Sequence, residues 1–170
     1  MKPTRFDALA NASISRRKAL QALTVLAGAS GLAGLQIAGL DDSAMTFLAK
    51  GAQGEQTTGG TKLTGRLVFP NSPDYDSARL GWARQFSQSP LVIVFCQNVQ
   101  DAVNALSWCR EHNVAFRVRS GRHCLEGWSA LDGGVVIDVS NMNQIHVDTS
   151  AEVATVQTGA TQGEVVTALG

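Results

Sequence analysis

The chain has 170 residues, 44% of them hydrophobic and 16% charged, with a formal net charge of zero. This apolar content is too high for a disordered chain, and the charge balance excludes an extended nucleic-acid-binding surface. Of the 14 basic and 14 acidic residues, five basic and one acidic fall in the first forty positions, so the remainder is mildly acidic.

That asymmetry has a local origin. Ser15-Arg16-Arg17-Lys18 sets an arginine pair directly before residues 19–40, a charge-free stretch rich in Ala, Leu and Gly. A basic segment followed by an apolar one reads as an export signal, and the paired arginines resemble the bacterial twin-arginine type. Residues 1–40 are therefore expected to direct export to the periplasm or the extracellular space. The alternative is a membrane anchor formed by 19–40, which is long enough to span a bilayer but is diluted by Gly28, Gly31, Gly34 and Gly39. Membrane contact is expected only through this segment. Residues 41–62, with Gly51, Gly54, Gly59 and Gly60 among Gln, Thr and Ser, show neither hydrophobic period and read as a flexible linker.

The folded part is placed at 63–170. Leu67-Val68-Phe69, stopped by Pro70-Asn71-Ser72-Pro73, predicts a short strand and a turn. Residues 74–86 predict a helix capped by Asp74, with Ala78, Trp82 and Phe86 recurring on one face. The apolar run 91–96 has the character of a strand buried on both sides. Asn98 then caps a helix whose Val99, Ala102, Val103 and Leu106 form one stripe, and Arg110, His112 and Asn113 mark its end. The strand at 114–118 is expected to pair directly, in parallel, with 91–95, and the helix at 99–112 to cover the two. Further strands are expected at 135–139, 145–147 and 153–157. Thr161 and Glu164 have capping-box spacing for a last helix, so the domain reads as continuing past Gly170.

Between the strands at 114–118 and 135–139 lies Arg119-Ser120-Gly121-Arg122-His123-Cys124-Leu125-Glu126-Gly127-Trp128-Ser129. Glycines, a histidine and two arginines in a loop between strands suit close approach of backbone to a ligand, and an anion is the expected guest. Successive N–H groups can form a concave nest, with Arg119 and Arg122 as charged donors. Ser129 is a candidate hydroxyl contact. Cys96 and Cys109 read as core thiols, Cys124 as partly exposed, and His123-Cys124 lacks the spaced partners of a metal site.

Four blocks then occur in order: Asp101-Ala102-Val103; Val118-Arg119-Ser120-Gly121-Arg122-His123 with Gly127 and Ser129; Val136-Ile137-Asp138-Val139-Ser140 with Met142, Ile145, Val147 and Asp148; and Val156 with Gly159, Ala160, Gly163 and Glu164. Together they resemble the FAD-linked oxidases similar to berberine bridge enzyme, in the vanillyl-alcohol oxidase and p-cresol methylhydroxylase superfamily. The resemblance runs from about Arg66 to Gly170. It implies an α+β fold, an FAD-binding PCMH-type subdomain with a small mixed sheet and flanking helices, of which this chain holds the N-terminal portion. It also implies FAD as cofactor, attached covalently through His123 to the 8α-methyl carbon, with Arg119, Ser120, Gly121, Arg122, Cys124, Gly127 and Ser129 as further cofactor contacts. Many relatives carry Gly-Gly-His where this chain has Gly121-Arg122-His123. The implied activity is oxidation of an alcohol or a saccharide with oxygen as acceptor, and no residue before Gly170 matches the family's catalytic base. The rival expectation is a secreted, non-catalytic module that keeps the fold without flavin.

Overall fold

The computed structural model describes residues 41, 42, 44, 46 and 62–170. The signal segment and most of the expected linker lie outside the described residues. Nine elements follow in order: β1 (Arg66–Val68), α1 (Tyr75–Arg79), β2 (Val92–Phe95), α2 (Val99–Glu111), β3 (Phe116–Arg119), β4 (Val135–Asp138), β5 (Ile145–Asp148), β6 (Val153–Val156) and α3 (Gln162–Leu169). Among the described residues, no helix is long and apolar enough to cross a membrane.

Strands β1 to β4 form a mixed sheet in the order β1-β2-β4-β3. β1 is antiparallel to β2, while β2 and β3 each run parallel to β4. The expected direct pairing of 91–95 with 114–118 is therefore corrected: the two strands are parallel but β4 lies between them. Burial explains the order. Every residue of β4 is buried, as every residue of β2 is, so both belong in the interior of the sheet. In β3, Arg117 and Val118 are exposed, a pattern suited to an edge.

The pleat divides the core in two. Val92, Val94, Cys96, Val135 and Ile137 face one side and pack with Ala105, Trp108 and Cys109 of α2. Ile93, Phe95 and Val136 face the other and pack with Tyr75 and Ala78 of α1. This alternation is the period-2 geometry of a strand covered on both faces. The Tyr75 hydroxyl donates to the Pro90 carbonyl at 2.6 Å, which gives a buried phenol its partner.

Both expected helices in this region differ from their sequence reading. The 74–86 helix is only five residues long, because Leu80 is extended at φ −76°, ψ 139°. Asp74 holds the N-cap position, but its carboxylate accepts from Arg66 Nη1 at 2.5 Å instead of capping the helix. In α2 the Asn98 cap is as expected, its side chain accepting from the Asp101 N–H at 3.1 Å. Asn113 follows the helix at φ 52°, a left-handed stop. The buried face, however, carries Asp101, Ala105, Trp108 and Cys109, while Val99, Val103 and Leu106 are exposed. Asp101 is drawn inward by polar contacts: its carboxylate accepts from Gln97 N at 2.9 Å and Thr64 Oγ1 at 2.5 Å. That rotates the helix away from the stripe suggested by periodicity.

The described part of the expected linker is also structured. Asp42, Ala44 and Thr46 are helical, and Ala44 is fully buried in the α2-side core. Asp41 accepts from the Ala44 N–H at 2.7 Å and meets His112 Nδ1 at 2.9 Å, tying this segment to the end of α2.

β5 and β6 form a separate antiparallel pair. The capping box of α3 is complete: Glu164 N donates to Thr161 Oγ1 at 3.3 Å and Thr161 N donates to Glu164 Oε2 at 2.6 Å.

Candidate functional site

The loop of interest starts where β3 ends, at the C-terminal edge of the parallel strands, where ligands commonly sit in open α/β sheets. Arg119, Ser120, Gly121, Arg122, His123, Cys124 and Ser129 line a shallow recess of about 260 Å³. Seven of the eight residues expected to contact the cofactor are thus brought together. Gly127, the eighth, is not part of the lining. It has φ +73°, and a Cβ there would come within 2.4 Å of Phe86 Cγ, so its role is to let the loop turn tightly over that ring.

The arginines do not act as expected. Arg119 is buried, and its Nε donates to Asp138 Oδ2 at 2.7 Å. Its other nitrogens reach the carbonyls of Ala78 and Arg79, at the open end of α1. Arg119 and Asp138 face each other in the β3–β4 register, and Asp138 also accepts from the Ser140 N–H and hydroxyl. The Arg119 guanidinium is therefore a structural cation and not a phosphate ligand; only its place in the lining survives from the sequence reading. Burial lowers its pKa and the Asp138 charge opposes that shift, which is why the pair must stay together.

Arg122 also folds back, donating from Nη1 to the Ser77 carbonyl at 3.2 Å, with its Nε 3.9 Å from Asp138 Oδ2. Its backbone has φ 61°, in the left-handed region that glycine enters most readily. A side chain in this left-handed conformation costs roughly 1–2 kcal/mol, which the Ser77, Asp138 and Trp82 contacts offset.

With Arg119 buried and the partly exposed Arg122 drawn back toward Ser77 and Asp138, the loop backbone is the other source of donors at the recess. Cys124 reports the local field. Desolvation pushes its thiol up, yet the N–H groups of Trp128, Glu126, Ser129 and Gly127 together hold it below the ordinary value. Several amide dipoles acting on one anionic atom are what a phosphate oxygen needs. Cys96 and Cys109 behave oppositely: burial pushes the first to about 11 and the second to about 12. Alkylation with iodoacetamide at about pH 8 should therefore label Cys124 in the folded chain and spare Cys96 and Cys109, as peptide mapping would reveal. Labelling of all three at similar rates would contradict the assignment.

His123 is exposed at the recess. Its imidazole lies beside Gly121, where a Cβ would stand 3.1 Å from His123 Cδ2, and it stacks on Trp82 with ring centroids 5.4 Å apart and 24° between planes. Ser120 Oγ donates to the Thr158 carbonyl at 3.0 Å, binding the start of the loop to the turn after β6. Two participants escaped the sequence reading. Trp82 is placed by the sequence on one face of a helix over 74–86, and Asp138 in a β-forming run, although an acid inside such a run signals a buried partner.

The residues present fit the phosphate-bearing and ring-edge parts of FAD: a backbone nest supplies amide dipoles, and the imidazole stands exposed beside it. Comparison with known proteins agrees. Residues 90–170 match the family model described as an FAD binding domain. The chain is 50% identical over 105 residues to the uncharacterized FAD-linked oxidoreductase YgaK of Bacillus subtilis, covering 62% of this chain and 23% of that protein. It is 29% identical over 104 residues to (R)-6-hydroxynicotine oxidase of Paenarthrobacter nicotinovorans, covering 61% and 23%. Among solved structures, 6-hydroxy-D-nicotine oxidase of Arthrobacter nicotinovorans superposes with a TM-score of 0.62 at 26% identity, over 66% of this chain and 25% of that one. Berberine bridge enzyme-like 1 of Physcomitrella patens gives 0.59 at 28%, over 63% and 24%. The chain thus spans about a quarter of the length of these relatives. Through residues 90–170 it matches the FAD binding domain, and it is similar to FAD-linked oxidoreductases that include berberine bridge enzyme-like proteins and 6-hydroxynicotine oxidase.

Proposed function

We propose that this chain is the flavin-holding portion of an exported oxidase that carries FAD covalently on His123. The observation that carries the reading is an exposed imidazole at the recess of an FAD binding domain, beside a backbone nest and clear of the Arg119–Asp138 pair. The backbone of residues 126–129 would hold the pyrophosphate, with the Ser129 hydroxyl as a further donor. His123 would hold the ring edge through a bond from a ring nitrogen to the 8α carbon, the imidazole giving up its proton, and oxidised flavin would take up the two electrons and the second proton that forming this link releases. A neutral imidazole nitrogen is a competent nucleophile near pH 7. Bound FAD would supply a two-electron acceptor for hydride from a CH–OH carbon of an alcohol or saccharide, with oxygen as the final acceptor.

The full coding sequence, expressed and purified, should give a yellow protein whose colour stays with the pellet after acid precipitation. A folded, colourless protein would instead support the non-catalytic module.

Export is the second part of the proposal, and it rests on Arg16 and Arg17, which lie outside the described residues. The twin-arginine pair is read by a receptor and not as bulk charge. Replacing both with lysine should leave the protein in the cytoplasm, as fractionation would detect, and undiminished export would contradict the twin-arginine route. Passage in the folded state suits a protein that acquires its cofactor before it leaves.

A further inference from the structure

We propose that Trp82 is a positioning residue for His123, holding the imidazole by its face so that both ring nitrogens stay free; this rests on the reading of His123 as the flavin attachment point. Trp82 is 68% exposed, so its indole is not held by the core. The indole stacks on His123 at a centroid distance of 5.4 Å, and the Trp82 N–H donates to the carbonyl of Arg122, the preceding residue, at 2.8 Å. Trp82 therefore grips two consecutive residues of the loop, one through backbone and one through its ring.

Local sequence makes this possible. The break in α1 at Leu80 turns the chain toward the loop, and Gly81 permits the approach, since a Cβ there would come within 3.3 Å of the Arg122 carbonyl oxygen. The same helix end is fastened to the loop by Arg119, through the Ala78 and Arg79 carbonyls, and by Arg122, through the Ser77 carbonyl. These contacts make the end of α1 and the start of the loop a single unit, from which the indole reaches the exposed imidazole.

The mode of contact matters chemically. A histidine oriented by a hydrogen bond gives up one nitrogen to its partner. The nitrogen lone pair that forms a bond lies in the ring plane, so a contact to the face restricts rotation without occupying either nitrogen. Offset aromatic stacking supplies such a contact. A misdirected imidazole would still lie near the flavin but would react slowly.

The test uses the full-length protein prepared without flavin, as wild type, Trp82→Ala and Trp82→Phe. Each is incubated with FAD, and covalent flavin is measured as acid-stable absorbance while total bound flavin is measured separately. Trp82→Ala should bind FAD but attach it about tenfold more slowly, and Trp82→Phe should restore most of the rate. Before FAD is added, the His123 ring-proton resonances should show an upfield ring-current shift that is lost in Trp82→Ala and retained in Trp82→Phe. Attachment by Trp82→Ala at the wild-type rate, or an unchanged His123 resonance, overturns the positioning role alone. Failure of the wild type to attach flavin to His123 overturns the reading of His123 itself, and the positioning role with it.

Discussion

Replacing Asp138 with alanine is expected to cost about 3–5 kcal/mol of folding stability, a large share of the roughly 5–15 kcal/mol of an ordinary domain. The Arg119 side chain is 2% exposed and that of Asp138 is fully buried, so the substitution leaves a guanidinium in the interior with no counter-charge. It also removes the acceptor for the Ser140 N–H and hydroxyl. The damage should spread to the site. Arg119 holds the end of α1 through the carbonyls of Ala78 and Arg79, and its own backbone begins the recess. Chemical denaturation followed by circular dichroism would measure the loss. Arg119→Met, which removes the charge while keeping a long apolar stem, should be less damaging when combined with Asp138→Leu than Asp138→Ala is alone, because a buried pair can be exchanged for apolar groups more safely than it can be split. Equal stability of Asp138→Ala and the wild type would show that the pair is not the clamp described.

Replacing His123 with alanine in the full-length protein should abolish the covalent adduct while leaving flavin bound through the backbone nest. Attachment at the 8α carbon withdraws electrons from the ring, so its loss should lower the reduction potential of the bound flavin. Oxidation of substrate should slow accordingly, and each tenfold decrease corresponds to roughly 1.4 kcal/mol of barrier. Spectroelectrochemistry and rapid-mixing kinetics would measure both. The fold should be nearly untouched, since His123 is exposed and contributes little to the core. That contrast separates the two substitutions: Asp138→Ala removes the platform, whereas His123→Ala leaves it and removes its reactive group.

What the sequence disclosed, and what it did not, follows from the range of the forces involved. The strand at 91–96, the Asn98 cap, the helix end at 110–113 and the Thr161–Glu164 capping box are local, each decided by residues within a few positions of one another, and each appears in the structure. The strand order was not local. Inserting β4 between β2 and β3 depends on which strand can be buried on both faces, and the distinction between residues 135–138 and 116–119 emerges only from the assembled sheet. The rotation of α2 was set by Asp101, whose partners include Thr64, 37 residues earlier. At the site, seven of the named loop residues line one recess because they lie within a few positions of one another in the chain. The inward turn of Arg119 was not legible, because its partner Asp138 lies 19 residues away on another strand. Trp82 was misplaced for a similar reason: helical periodicity continued on paper past Leu80, where the backbone becomes extended.

The central claim is that His123 carries the flavin. Tryptic digestion of the purified, flavin-loaded, full-length protein, followed by mass spectrometry of the peptide containing His123, tests it directly. An FAD adduct localised to the imidazole is the predicted result. An unmodified His123 in active, flavin-loaded enzyme would contradict the account.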